Sequence, residues 1–144
     1  MPVPPKEFLG LLQEVIPFNK FLGITLEDAR DGYAKLALPF RPELIGDSAR
    51  PALHGGVIST LIDVCGGFAV WTQIRIEDRV STIDLRVDYL APGFPEPLVA
   101  EGTVVRVGNR VGVVDVRCWQ PADPTRTVAT GKAVYNIKRK EDSP

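Results

Sequence analysis

The sequence predicts an α+β fold in which one long apolar helix is followed by antiparallel strands. The helix is indicated by an apolar run that begins near His54 and repeats at helical spacing as far as residue 70. The strands are indicated by a change to a period of two after Asp78. There, apolar side chains alternate with charged ones: Ile83, Leu85, Val87 and Tyr89 against Asp84, Arg86 and Asp88. Strands that follow one another without intervening helices are typical of an α+β layout.

The chain before the long helix contains a predicted short helix and a predicted hairpin. An amphipathic helix within residues 1–19, ending at Pro17, is predicted by apolar residues at spacings of three and four: Phe8, Leu11, Leu12, Val15 and Ile16. Residues 23–28 and 33–39 flank Asp31-Gly32, a pair that favours a tight reversal and so predicts a β-hairpin. Residues 41–52 are expected to form a polar loop.

Three more strands follow the alternating one. Residues 98–107 and 111–119 are joined at Gly108-Asn109-Arg110, a connection short enough for a hairpin, and residues 125–137 complete the sheet. The pattern therefore gives four consecutive strands, or three with a frayed edge. Residues 138–144 are too polar to pack and are expected to form a flexible tail. Without a repeat or a second core, residues 1–144 are expected to form one domain.

Composition and charge exclude several classes of function. The 144 residues include 17 Lys plus Arg and 18 Asp plus Glu, so a net charge of −1 offers no electrostatic footprint for nucleic acid. The longest apolar stretch is interrupted by polar residues and is shorter than the roughly 20 residues of a membrane span, so no membrane association is expected. The N-terminus lacks the basic and apolar regions of a signal peptide, which predicts a cytoplasmic protein.

Cys65 and Cys118 are the two cysteines of the chain. Neither has the close spacing to a second Cys or His that a zinc site uses, so no metal site is predicted. Both thiols are expected to be reduced and buried.

The long helix divides into two faces at about 100° per residue. One face is predicted to meet the core: Val57, Ile58, Leu61, Ile62, Cys65, Phe68 and Ala69. The opposite face carries Ser59, Thr60, Asp63, Gly66, Gly67 and Val70. Because each helical glycine costs roughly 1 kcal/mol relative to alanine, this second face favours close approach of another backbone or a ligand, with Asp63 at the contact. Alternatively, Asp63 is an ordinary surface carboxylate and the glycines are merely tolerated.

The segment His54-Gly55-Gly56 opens this helix. Unpaired backbone N–H groups and the positive end of the helix dipole therefore lie where a ligand could reach them. This arrangement outlines an anion site. A Gly-Gly pair at a helix start also serves as an ordinary flexible entry, so the pair by itself is a weak signal.

Four segments of the chain carry a resemblance: His54-Gly55-Gly56 followed by Asp63, the strand from Ser81 to Pro92, residues 105–111 and residues 129–133. Together they resemble the hotdog-fold acyl-coenzyme A thioesterases of the phenylacetate-pathway type. The resemblance spans most of the chain. It implies a curved antiparallel sheet wrapped around one long central helix, and a homodimer whose sheets join edge to edge, often paired into a tetramer.

The resemblance also implies roles for particular residues. The Gly55 amide would hold the oxyanion, Asp63 would act as nucleophile or general base, and Thr82 would orient the water or the carboxylate. His54 is a further candidate catalytic residue, although its place at the helix entry suits a hydrogen bond to the thioester or to a neighbouring loop better than base catalysis. Gly56 is expected to contact the substrate. Members of the family often carry Asn where this chain has Ser48, which puts that loop's substrate contact in doubt.

Arg106 and Arg110 flank the Gly108-Asn109 turn. With Lys138, Arg139 and Lys140 they could meet the phosphates of coenzyme A, or they could be solvated hairpin charges. Phe68 and Trp71 could line an acyl pocket or belong to the core.

These features predict hydrolysis of an acyl- or aryl-coenzyme A thioester without a metal or other cofactor. The alternatives are an acyl-coenzyme A binding module without catalysis, which would lack the carboxylate, and a hotdog dehydratase or hydratase. That enzyme would need a His paired with an acid, or an Asp on a different motif. Gly55 and Asp63 are eight residues apart, about 12 Å along a helix. One thioester carbon cannot touch both within one chain, so each site is expected to draw on two subunits.

Overall fold

A computed structural model describes residues 9–10 and 14–142 of the chain. The helices that lie wholly within these residues are α1 (Pro17–Leu22) and α2 (Gly55–Trp71). The strands are β1 (Thr25–Arg30), β2 (Tyr33–Leu38), β3 (Ile45–Asp47), β4 (Ala52–Leu53), β5 (Arg79–Tyr89), β6 (Leu98–Val107), β7 (Val111–Gln120) and β8 (Asp123–Lys138). Two short 3-10 helices span Pro42–Leu44 and Lys140–Asp142.

One antiparallel sheet and the helix α2 form the core. The six strands of the sheet run in the order β1-β2-β6-β7-β8-β5, and every neighbouring pair is antiparallel. Helix α2 packs on one face of this sheet and buries Leu61, Ile62 and Cys65 completely. The α+β prediction and its four final strands are confirmed.

The predicted N-terminal hairpin is also present. Strands β1 and β2 pair through a two-residue turn, in which Gly32 has φ +76°, a backbone conformation that glycine adopts without strain. The Gly32 N–H donates a hydrogen bond to the buried Thr72 hydroxyl at 2.9 Å, which ties the turn to the end of α2.

The N-terminus differs from the prediction after Pro17. Part of the predicted first helix lies outside the described residues, and residues 9–10 and 14–15 are helical. Pro17 begins a new helix, α1, which continues to Leu22, beyond the expected boundary at residue 19. Proline is well suited to the first position of a helix because its missing N–H would have had no intrahelical partner there.

The expected polar loop at 41–52 contains a small two-stranded ribbon, β3 with β4. This ribbon leads directly into α2. The His54 N–H donates to the Leu44 carbonyl at 2.8 Å, and the Leu53 N–H donates to the Gly93 carbonyl at 2.9 Å. These two hydrogen bonds, one to the 3-10 helix before β3 and one to the loop after β5, hold the chain at the point where α2 begins.

The prediction that residues 138–144 are too polar to pack is wrong for Arg139, whose side chain is mostly buried. Arg139 Nη1 lies 3.1 Å from Oδ2 of Asp78, whose side chain is fully buried. The Lys140 N–H donates to the other oxygen of the same carboxylate at 3.0 Å. A buried partner on the segment before β5 therefore holds this polar end of the chain in place.

Strand β5 is present, but its burial does not follow the predicted alternation. The register with β8 shifts between Thr82 and Asp84, so Ile83 is the extra residue of a β-bulge. Ile83 and Tyr89 are 58% and 53% exposed, whereas Leu85 and Val87 pack partly against the core. Because β5 is an edge strand of the sheet, its outer side has no neighbouring strand within the described residues.

Both cysteines are buried and free, and burial raises the pKa of the Cys118 thiol to about 12. Of the helices described, none is long and apolar enough to cross a membrane.

Candidate active site

Helix α2 begins at an N-cap made by His54. The His54 backbone is extended (φ −61°, ψ 133°), and its Nδ1 accepts a hydrogen bond from the Gly56 N–H at 2.8 Å. A ring nitrogen that accepts a hydrogen bond carries no proton, so a neutral His54 has its proton on Nε2. The Gly56 N–H is thus engaged within the chain.

Gly55 lies at the first position of α2, with its backbone close to β5. No acceptor within the described residues bonds to its N–H, whereas its carbonyl accepts a hydrogen bond from the Tyr89 hydroxyl at 3.0 Å. The Tyr89 ring packs on Gly55, where an added Cβ would lie 3.4 Å from Tyr89 Cε1. Sequence reasoning assigned no function to Tyr89, which appeared only as an apolar strand position.

Asp63 lies two turns further along α2 and is half-buried. Its Oδ1 accepts a hydrogen bond from the Thr82 hydroxyl of β5 at 2.8 Å. Its backbone carbonyl accepts a second hydrogen bond, from the Tyr135 hydroxyl of β8, at 2.6 Å. The structure thus brings together two residues that the sequence selected, Asp63 and Thr82, and adds Tyr135, which sequence reasoning treated only as part of a strand.

The expectation that Gly66 faces another backbone or a ligand is wrong. Gly66 is buried against Tyr135 of the same chain, and an added Cβ would lie 2.2 Å from the Tyr135 hydroxyl. Val70 of the same predicted face is fully buried as well. The helix is covered by the sheet over a wider arc than the apolar stripe indicated, because small residues on α2 admit a large side chain from β8.

A cavity of about 220 Å³ lies beside Asp63 and Thr82. It is mostly apolar, and its walls include two residues predicted for an acyl pocket, Phe68 and Trp71. Two polar groups interrupt this lining. Asn19 is 97% buried, and Trp71 Nε1 is buried without a hydrogen-bond partner among the described residues.

A larger concavity, about 600 Å³, lies elsewhere on the sheet. Its lining includes neither Asp63 nor residues of the α2 start, and eight of its ten lining residues are charged or polar types: Arg86, Asp88, Glu101, Thr103, Asp115, Arg117, Thr130 and Lys132. Charges of both signs neutralise one another across it, as in the ion pair of Lys132 with Asp115 at 2.9 Å. We therefore place the candidate site at the smaller cavity.

The remaining predicted site residues lie apart from this cavity. Gly55 is the first residue of α2 and Asp63 is at its middle, so the two lie about 12 Å apart along the helix axis. Ser48 is exposed in the turn between β3 and β4, where Asp47 Oδ1 accepts a hydrogen bond from the Ala49 N–H. Neither Gly55 nor Ser48 lines the cavity at Asp63 within one chain.

Arg106 and Arg110 lie at the turn between β6 and β7 and are exposed. Arg139 holds this turn by donating to the carbonyls of Gly108 and Asn109, at 3.0 and 2.8 Å, so its guanidinium is engaged within the chain. Sheet register places the turn near the candidate site. Thr82 is opposite Tyr135, and Tyr135 is opposite Gly112 just after the turn, so two strand spacings, about 10 Å, separate Thr82 from that end of β7.

Among the residues that the structure describes, no group of three or more His, Cys, Asp or Glu side chains could hold a metal ion.

Sequence similarity connects this chain with known thioesterases. Residues 51–126 match the family model of the thioesterase superfamily. The chain is 40% identical over 135 residues to the medium/long-chain acyl-CoA thioesterase YigI of Escherichia coli, covering 85% of this chain and 86% of that protein.

Solved structures show the same fold. A Shewanella oneidensis protein related to the thioesterase superfamily is 31% identical, with a TM-score of 0.76 over 90% of this chain and 95% of that one. The thioesterase HI1161 of Haemophilus influenzae is 17% identical and has a TM-score of 0.81 over 95% and 94%, a likeness of fold. The prediction of a hotdog-fold thioesterase is confirmed: this chain belongs to the thioesterase superfamily.

Proposed function

We propose that this protein hydrolyses acyl-coenzyme A thioesters at a site centred on Asp63. The observation that carries the proposal is the Asp63 carboxylate, held by the Thr82 hydroxyl at 2.8 Å beside a mostly apolar cavity. A carboxylate fixed next to an apolar pocket can attack, or activate water against, a carbonyl whose acyl chain occupies the pocket. The name of the Escherichia coli relative, a medium/long-chain acyl-CoA thioesterase, supports this substrate class.

The reaction needs two groups at the thioester carbon. Asp63 either attacks the carbonyl itself, giving an anhydride that water then hydrolyses, or takes a proton from the attacking water. In both routes the carbonyl oxygen becomes an oxyanion, and the Gly55 N–H at the start of α2 is an available donor for it. Collapse of the tetrahedral intermediate breaks the C–S bond, and the thiolate leaves and takes up a proton.

We propose that these two groups come from different subunits of a homodimer. One observation is the distance of about 12 Å between Gly55 and Asp63 along α2. A second is the open edge of β5, because an eleven-residue edge strand with exposed Ile83 and Tyr89 is suited to pairing with another strand.

The contacts of β5 show how such pairing would complete the site. Thr82 bonds to Asp63 near one end of the strand, and Tyr89 bonds to Gly55 at the other. If β5 pairs antiparallel with β5 of a second copy about a two-fold axis between Leu85 and Arg86, Thr82 lies opposite Tyr89 of the second copy. Each Asp63 then approaches the other subunit's Gly55, and the dimer holds two sites; two dimers would form the tetramer.

We assign binding of the coenzyme A part of the substrate to the two arginines of the turn after β6. Arg106 and Arg110 are exposed at the end of the sheet that also carries Thr82. Guanidinium groups bind phosphate by paired hydrogen bonds, which suits the phosphates of coenzyme A. We place the reaction in the cytoplasm, where the two free thiols stay reduced.

The experiment that identifies the substrate is a hydrolysis screen with the free thiol as readout. The screen compares acyl-coenzyme A thioesters whose acyl groups vary in chain length, in aromaticity and in the presence of a hydroxyl group. These variations are chosen because the cavity offers both apolar walls and the polar groups of Asn19 and Trp71. Asp63→Asn should lower turnover at least 100-fold while the protein stays folded. Tight binding of an acyl-coenzyme A with no turnover of any thioester would instead identify a binding module.

Mixed dimers test the shared site. Gly55→Pro removes the amide donor at the first helical position, where proline is tolerated, and the extended His54 backbone suits a following proline. Asp63→Asn and Gly55→Pro chains, unfolded together and refolded in equal amounts, should recover roughly a quarter of native activity, since half the dimers are mixed and half their sites are intact. If confirmed heterodimers are as inactive as their parents, both groups act within one chain.

A further inference from the structure

We infer that Tyr135 is a positioning residue of this site, whose hydroxyl fixes the turn of α2 that carries Asp63. This inference rests on the proposed function, because it assigns a partner to Asp63. It concerns the backbone of Asp63, whereas Thr82 acts on the side chain.

The Tyr135 hydroxyl meets the helix at a particular hydrogen bond. It donates to the Asp63 carbonyl at 2.6 Å, and the backbone N–H of Gly67 faces the Tyr135 hydroxyl oxygen, where it acts to lower the pKa of the phenol. Residues 63 and 67 are four apart, the spacing at which an α-helix joins a carbonyl to an N–H. The phenol therefore lies at the helical hydrogen bond of this turn, a place where an inserted side chain can alter the local direction of a helix.

The glycines of α2 make room for this contact. An added Cβ on Gly66 would lie 2.2 Å from the Tyr135 hydroxyl and 3.0 Å from Cζ, so no larger residue fits without displacing the ring. Gly67 is less restricted, since its added Cβ would lie 3.7 Å from Tyr135 Cε1. The helix thus accepts the lower helix propensity of glycine at Gly66, the position that admits the phenol.

Two neighbouring strands hold Asp63 in two ways. Thr82 of β5 and Tyr135 of β8 are directly paired in the sheet register. Thr82 bonds to the Asp63 carboxylate and Tyr135 bonds to the Asp63 backbone. All three residues line the cavity of about 220 Å³, so the contacts fix the carboxylate at the wall of the proposed acyl pocket.

The phenol keeps its proton under any working condition. Burial raises the pKa of Tyr135 far above its usual value of 10, and the nearby negative charge of Asp63 raises it further. The hydroxyl is therefore a permanent donor to the Asp63 carbonyl and does not titrate with the reaction.

The test is Tyr135→Phe, which removes the hydroxyl and keeps the ring. We expect kcat to fall about tenfold with KM within twofold of the native value, because small displacements of a reacting group act on the chemical step. The matched control is Tyr33→Phe, which also removes a bonded hydroxyl, here one that donates to Glu101 at 2.8 Å away from the cavity. The Tyr33→Phe variant should keep the native kcat. For each variant, kcat is calculated per folded molecule and measured well below the melting temperature of that variant.

Asp63→Asn, assayed in parallel, separates the two hypotheses. If Asp63→Asn is inactive while Tyr135→Phe keeps native kcat, the role of Tyr135 is refuted and the proposed function stands. If Asp63→Asn keeps native turnover, the proposed function fails, and the role of Tyr135 fails with it. Should Tyr135→Phe not fold, Gly66→Ala replaces it, since its Cβ displaces the hydroxyl; a native kcat in that variant would refute the inference.

Discussion

The Thr82 hydroxyl donates a hydrogen bond to the Asp63 carboxylate across 2.8 Å, and this bond joins the edge strand β5 to the central helix α2. Thr82→Val keeps the shape of the side chain and removes the donor. Because a hydrogen bond to a charged group contributes about 1.5–3 kcal/mol, we expect turnover to fall roughly tenfold or more. Thr103→Val, on the other concavity, is the control and should leave steady-state rates unchanged. If Thr82→Val and Thr103→Val had equal turnover rates, Thr82 would have no role in the site.

Gly66 and Gly67 are adjacent in α2, but we predict opposite effects of alanine at the two positions. Gly66→Ala places a methyl group 2.2 Å from the Tyr135 hydroxyl, so it should destabilise the fold by about 1–3 kcal/mol. Gly67→Ala makes an ordinary contact at 3.7 Å and should stabilise the fold by up to about 1 kcal/mol through helix propensity. Denaturant unfolding measures both changes, and a destabilised Gly67→Ala with a neutral Gly66→Ala would contradict this packing.

The buried pair of Asp78 and Arg139 gives stability a defined pH dependence. Burial by itself would raise the pKa of the Asp78 carboxyl. Hydrogen bonds from the Lys140 and Arg75 N–H groups and from the Arg139 guanidinium outweigh burial, and the pKa lies below its usual 3.8. The stabilisation is therefore complete above the pKa of the unfolded chain and is lost as the pH falls through the lower pKa of the folded protein.

Asp78→Asn should accordingly cost about 3 kcal/mol at pH 7, because Arg139 would be left mostly buried without a counter-charge. The difference from the native protein should shrink as the pH falls below about 4, because Asp78 of the unfolded native chain then takes up a proton, and it should be smallest once the pH is below the lower pKa of the folded carboxyl. Asp115→Asn is the control; its partner Lys132 is 56% exposed, so its loss should cost less than about 1 kcal/mol. A pH-independent effect of Asp78→Asn would rule out a charge-based origin.

The exposed edge of β5 predicts where the two subunits of the proposed dimer meet. Ile83→Asp puts a charge on the bulge of this strand, where 58% of the native side chain is exposed in a single chain. Burial of an unpaired charge between subunits is costly, so we expect folded monomers without activity. Val105→Asp is the control, because Val105 of β6 has a similar exposure of 56%. The molecular mass of this variant, measured by light scattering, should still correspond to at least two chains. A stable, active Ile83→Asp dimer would place the interface elsewhere.

Much of the fold follows from local patterns in the sequence. The apolar spacing after His54 predicted a helix that runs from Gly55 to Trp71, and the pairs at Asp31-Gly32 and Gly108-Asn109 predicted two hairpins that the structure contains. Periodicity and turn chemistry depend on residues close together in the chain, so both can be recognised from the sequence alone. The choice of Asp63 and Thr82 needed, in addition, the resemblance to a known family.

Long-range packing decided what the local patterns misassigned. Gly66 and Gly67 looked like one open helix face, yet Gly66 is covered by Tyr135, 69 residues further along the chain. Arg139 looked like part of a solvated tail, yet Asp78 binds it from 61 residues away. Such contacts depend on which strands become neighbours in the sheet. The residue types at the site were therefore set by the sequence, whereas the tertiary structure decided which backbone and which buried charge each of them meets.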